Sequence, residues 1–288
     1  MKALVTGAAG FIGSTLAEHL VSRGADVIGL DCFTDYYPRS IKERNLVELR
    51  TRPAFRFIDA RIQDADLPSI LRDRSHVFHL AAQAGVRKSW GTDFAVYTVN
   101  NIEATQILLE AALAAPSLER FVYASSSSVY GDTVPIPMRE DSPLQPVSPY
   151  GVSKLAAEQL CYLYFATSGV PTVSLRYFTV YGDGEQTRDF TFVHDAVTAT
   201  TAAAERGVPG RVYNIGGGSR VSVNEVIDMI GRVSGRRPVI AGDTAQKGDM
   251  RHTYADTSLA RADLGFAPTI TLEDGLGAEY RWLKAALL

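Results

Sequence analysis

Short runs of β-branched and aromatic residues that end at turn residues alternate along the chain with longer stretches whose apolar positions recur at helical spacing. The runs Ala3 to Thr6, Asp26 to Leu30, Phe55 to Ile58, Val77 to Leu80, Arg120 to Ala124 and Thr172 to Arg176 predict strands. Helices are predicted near Phe11 to Arg23, Ser40 to Arg50, Phe94 to Ala114 and Tyr150 to Thr167. Such alternation is the pattern of βαβ units, so the expected fold class is α/β, a doubly wound parallel sheet. After Tyr181 the strands shorten (Arg211 to Ile215, Pro238 to Ala241) and sit among helices near Asp195 to Arg206, Val223 to Ser234 and Thr271 to Leu287. This predicts a large domain over residues 1–178 and a smaller α/β domain over 179–288, interleaved at their boundary, with a cleft between them.

Composition narrows the function. With 46% hydrophobic and 21% charged residues the 288-residue chain can bury a large core. Its formal charge of -3 provides no global positive field for a nucleic acid backbone or an anionic membrane. Two cysteines, Cys32 and Cys161, are too few for a disulfide framework and fit a reducing compartment. The apolar run Met1 to Val5 is too short for a signal-peptide core or a membrane span, so the sequence reads as cytoplasmic. His76 and His79 have a metal-like spacing but fall on opposite faces of a strand, and no metal site is expected.

The first strand leads into Thr6-Gly7-Ala8-Ala9-Gly10-Phe11-Ile12-Gly13 and then a helix. Glycines at that spacing let backbone approach a pyrophosphate, and the helix turns its unpaired N–H groups and positive dipole end toward it. Asp31 ends the second strand, where a carboxylate can accept both hydroxyls of an adenosine ribose and repel a 2'-phosphate. The residues therefore favour NAD over NADP. Further on, Phe121 to Ala124 delivers Ser125, Ser126, Ser127 and Ser128 at the carboxyl end of a strand, the ligand-binding side of an open parallel sheet. Tyr150 and Lys154 share one face at the start of a helix. A nearby ammonium group and an oxidised nicotinamide both favour a phenolate, which makes Tyr150 a candidate base.

These motifs, with His79 to Ala84, Asn101, Val129-Tyr130-Gly131, Arg176-Tyr177-Phe178 and Arg188-Asp189-Phe190, resemble the extended short-chain dehydrogenase/reductase family over nearly the whole chain. The resemblance implies a Rossmann sheet and a catalytic set of Ser126, Tyr150 and Lys154. It also implies cofactor contacts from Gly7, Gly10, Phe11, Ile12, Gly13, Asp31, Ile62, Leu80, Ala81 and Ala82, with Lys154 on the nicotinamide ribose and Tyr177 beside Phe178 lining the nicotinamide pocket. Relatives that dehydrate or decarboxylate their sugar carry acids where this chain has Ser127 and Ser128. With no group to remove the C5 proton, the implied reaction is C4 epimerisation of a UDP-sugar, with NAD kept as a prosthetic group.

The segments Asp31 to Pro38 and Arg176 to Gly182 are most similar to UDP-glucuronate 4-epimerases. That similarity places Ser127 and Thr179 at the sugar, Arg188 and Arg251 at the nucleotide pyrophosphate, and Arg87 and Asn101 in the cleft, within a homodimer packed through the helices near Phe94 to Ala114 and Tyr150 to Thr167. Epimerases of glucose/galactose or pentoses, and a catalytically silent NAD-binding sensor, stand as the other readings. Two departures from the family pattern bear on them. Arg61 replaces the aspartate that holds the adenine amino group. Roughly two dozen residues usual after Gly182 are missing, which is expected to reflect a mobile lid absent from the recorded chain.

Overall fold

The computed structural model describes residues 1–178, 187–236, 238, 247–248 and 250–287. Seven parallel strands form the main sheet: β1 (Lys2–Thr6), β2 (Asp26–Asp31), β3 (Phe55–Asp59), β4 (His76–His79), β5 (Arg120–Ser126), β6 (Thr172–Tyr177) and β8 (Val212–Ile215). Their order is β3-β2-β1-β4-β5-β6-β8. Chain direction across the sheet reverses between β1 and β4, so the carboxyl ends of these two strands flank the crevice where such sheets bind ligands. A separate antiparallel pair joins β7 (Thr187–Asp189) to β9 (Arg220–Ser222).

The helices are α1 (Phe11–Ser22), α2 (Arg39–Asn45), α3 (Val47–Arg50), α4 (Leu67–Leu71), α5 (Phe94–Tyr97), α6 (Ala104–Leu113), α7 (Pro149–Ser168), α8 (Val193–Arg206), α9 (Val223–Ser234), α10 (Ser258–Leu264) and α11 (Leu272–Leu287). One apolar cluster packs Leu16 and Leu20 of α1 and Ala199 and Ala203 of α8 against one face of the sheet. Another packs Leu67 of α4, Leu108 of α6 and Ala157 of α7 against the opposite face. Both faces are thus covered, as an all-parallel sheet requires. Among the described residues no helix is long and apolar enough to cross a membrane.

The structure redraws three parts of the expected layout. β8 and α8, expected in the smaller domain, are built onto the large sheet, because β8 pairs with β6 and α8 packs on α1 and β5. The expected helix near Ser40 to Arg50 is two short helices meeting at Leu46. The one near Phe94 to Ala114 is interrupted by a π-helical stretch, Thr98–Glu103. Of the strand expected at Pro238 to Ala241, residues 239–241 lie outside the described residues.

Candidate active site

Gly7 takes a positive φ of 72°, and a Cβ there would lie 2.8 Å from the Ala81 nitrogen. At Gly13 a Cβ would meet the Gly7 carbonyl oxygen at 2.1 Å, so only glycine lets α1 start directly beneath the loop. Gly10 is the N-cap of α1 and provides no side-chain cap, which leaves the first turn's N–H groups for an anion. The Asp31 carboxylate accepts the Ala9 N–H (3.1 Å) and the Phe33 N–H (2.8 Å), so it holds the loop and keeps further lone pairs on both oxygens. Gly7, Gly10, Asp31, Ile62, Leu80 and Ala81 line one cavity, joined by Ala82 and Arg61. A glycine cradle, an uncapped helix and a carboxylate facing one cavity fit the diphosphate and ribose of a dinucleotide such as NAD. Phe11 is exposed beside it, and Ile12 packs against the core beneath.

Ser126, buried at the end of β5, opens a tight turn, Ser127–Val129, in which its Oγ accepts the Ser128 N–H and donates to Ser128 Oγ, both at 3.2 Å. Ser127 is buried as well. α7 begins against this turn. Ser148 caps it by accepting the Gly151 N–H, Pro149 fits the first helical position, and a Cβ on Gly151 would lie 2.5 Å from the Ser128 carbonyl oxygen. Tyr150, in that first turn, packs edge-on to Tyr97 at 6.2 Å. One turn on, Lys154 is buried with Nζ 4.6 Å from the centre of the Tyr123 ring. Burial lowers its pKa to about 8, against the opposing pull of Cys161 and Glu158. The fold thus brings the serine turn and the helix start carrying Tyr150 and Lys154 together.

Two buried networks hold this arrangement. Thr105 donates to the Asn101 carbonyl and so accepts from His79 Nε2, which leaves Nδ1 to accept from Thr6, whose oxygen in turn accepts the Ala81 N–H. Burial, aided by the Lys154 charge, drives the His79 pKa down to about 3, so the ring is a neutral spacer. On the other side, Arg176 donates to both carboxylate oxygens of Glu158 (3.0 and 2.6 Å) and to the Tyr130 hydroxyl, while Ser125 donates to Glu158.

The remaining expected residues fall as follows. Asn101 is buried, and its side chain bonds to both backbone groups of Gln83 and to Ser153 Oγ, so it acts as a tie between loop and α7. Tyr177 is buried toward α8, its hydroxyl donating to Thr200 Oγ1, which itself donates to the Ala196 carbonyl. Arg188 is buried with its guanidinium on the carbonyls of Thr187, Met250 and Arg251, whereas the Arg251 side chain is exposed. Arg87 is exposed in the turn Arg87–Ser89. Thr179 lies outside the described residues. No cluster of metal-ligating side chains occurs among the described residues. Sequence reasoning gave no role to Tyr123, Tyr97, Tyr37 or Lys42, because their positions depend on which strand and loop they face and no spacing marks them.

Residues 3–184 match the family model described as NAD dependent epimerase/dehydratase family, and residues 177–278 match that of GDP-mannose 4,6 dehydratase. An uncharacterized UDP-glucose epimerase, YtcB, of Bacillus subtilis is 41% identical over 99% of this chain and 98% of its own. A UDP-glucuronate 4-epimerase of Thermodesulfobacterium geofontis is 34% identical over 98% and 95%. The crystal structure of UDP-glucuronic acid 4-epimerase from Bacillus cereus with UDP-glucuronic acid and NAD superposes with a TM-score of 0.94 at 40% identity, covering 99% of each chain. The alignment to the Bacillus subtilis protein spans 315 positions against 288 residues here. Gly182 is followed directly by Asp183-Gly184-Glu185-Gln186-Thr187, so this chain lacks the residues expected there. The chain belongs to the NAD-dependent epimerase/dehydratase family, with the fold of its extended short-chain dehydrogenase/reductase members.

Proposed function

We propose that the protein is an NAD-dependent 4-epimerase of UDP-sugars that interconverts UDP-glucuronate and UDP-galacturonate. The observation that carries this reading is a serine turn without a carboxylate, packed on the helix start that holds Tyr150 and Lys154. The nearby acid Glu158 is engaged by Arg176 and Ser125, so it does not stand free as a base for the C5 proton that dehydration would require. The similarity to UDP-glucuronate 4-epimerases favours the uronate over its neutral counterparts.

NAD, when bound, accepts the C4 hydride and returns it. In this reading the Ser126 hydroxyl orients the sugar 4-hydroxyl and the Tyr150 phenolate takes its proton. The Lys154 ammonium stabilises that phenolate. Once the 4-keto sugar has turned in the site, Tyr150 gives the proton back and C4 is inverted. Gly7, Gly10, Gly13 and Asp31 hold the cofactor, and Ser127 contacts the sugar.

Purified protein should carry NAD and convert UDP-glucuronate to UDP-galacturonate, with Tyr150→Phe abolishing turnover and leaving NAD bound. Conversion of UDP-glucose with no action on UDP-glucuronate would overturn the substrate. A protein that holds NAD but turns over no UDP-sugar would favour the sensor reading. We also propose a homodimer, since Val96 on α5 and Val152, Tyr162 and Leu163 on α7 are large apolar side chains left exposed on the two helices expected to pair. Light scattering should give twice 31.3 kDa, and Tyr162→Glu should give monomer. The free thiols Cys32 and Cys161 support placement in the reducing cytoplasm.

A further inference from the structure

We infer that the Tyr37 phenol donates a hydrogen bond to the diphosphate of the bound dinucleotide, an assignment that rests on the NAD reading above. Between β2 and α2 the chain carries two tyrosines across the cofactor cavity. Tyr36 reaches Gly85, its hydroxyl 2.5 Å from where a Cβ would stand there, and Tyr37 reaches Gly10, with the corresponding distance 4.0 Å. The two rings meet edge to face at 6.4 Å. Lys42 Nζ lies 4.8 Å from the centre of the Tyr37 ring and donates to the Thr34 carbonyl, which fixes the strap from behind.

The Tyr37 hydroxyl is removed from solvent and has no hydrogen-bond partner, although its side chain lines the cavity. A buried hydroxyl left unpaired costs on the order of 1–3 kcal/mol, so an acceptor belongs beside it. Asp31 does not serve, because no hydrogen bond joins its carboxylate to the phenol in this structure. Gly10 is the position where backbone approaches a pyrophosphate, and the uncapped start of α1 faces the same place. Burial and the Asp31 charge both raise the phenol's pKa, which keeps it protonated and a donor. A phosphate oxygen is the acceptor that matches.

The test is equilibrium binding of NAD, ADP-ribose and adenosine to cofactor-free protein, wild type against Tyr37→Phe. Phenylalanine keeps the ring, its packing on Tyr36 and its contact with Lys42. We expect the dissociation constants for NAD and ADP-ribose to rise about ten-fold, the scale of one hydrogen bond to a charged acceptor, and that for adenosine to stay unchanged. Equal NAD binding by the two proteins overturns the assignment alone, as does an equal loss for adenosine, which would place the phenol at the nucleoside. Wild-type protein that binds no NAD overturns the cofactor reading as well.

Discussion

Lys154 is a cation in a place where burial works against its charge, offset in part by Cys161 and Glu158, and the face of the Tyr123 ring lies against it as a further support. A desolvated cation on an aromatic face gains about 2 kcal/mol, or more than one pKa unit. The groups turned toward Lys154 are Tyr123 and neutral His79 from the strands and Glu158 and Cys161 from α7. Because its folded pKa is lowered, Lys154 loses its charge as pH rises through about 8, and with it the support for the Tyr150 phenolate. Tyr123→Leu should move the alkaline fall in kcat/KM down by about one pH unit, whereas Tyr123→Phe should leave it in place. A profile identical in all three proteins would remove Tyr123 from the account.

At the scale of elements, the start of α7 is the piece that sets catalytic geometry. Gly151→Ala would drive a methyl into the Ser128 carbonyl and push the helix start off the serine turn. Misplacement of about 1 Å can cost on the order of 100-fold in rate, so kcat should fall steeply while the dissociation constant of NAD holds. Unchanged kcat would show that the contact is slack. Much of this was legible in the chain: Ser148 and Pro149 announce the helix, and the glycine loop and Asp31 are local signals with fixed spacing. The π-helical stretch at Thr98–Glu103 was not, because one extra residue in a turn hardly disturbs the apolar pattern while Asn101 gains its bonds to Gln83 and Ser153. Nor could order along the chain tell that β8 closes the large sheet. Resemblance alone places Arg188 at the pyrophosphate, and its bonds to the Met250 and Arg251 carbonyls, besides that of Thr187, join a segment too distant along the chain for any spacing to mark.

Across the whole molecule, one buried ion pair ties the catalytic layer to the rest. Glu158 comes from α7 and Arg176 from β6, with side chains 3% exposed or less. Through Ser125, Tyr130 and Asn214 they also reach β5, the residue after the serine turn, and β8. A surface pair such as Lys2 with Asp73, both half-exposed, contributes less than about 1 kcal/mol. Removing one member of a buried pair leaves an uncompensated charge and costs about 3–5 kcal/mol. Urea unfolding should therefore show Glu158→Gln losing that much stability and Lys2→Ala almost none. The double change Glu158→Leu with Arg176→Met should restore much of the stability, since apolar side chains of similar volume need no partner. It should not restore the rate, because Ser125 and Tyr130 lose the charged groups that hold the strand end and the turn in register. A double variant with full kcat would mean that the pair serves stability alone and that packing by itself holds the serine turn.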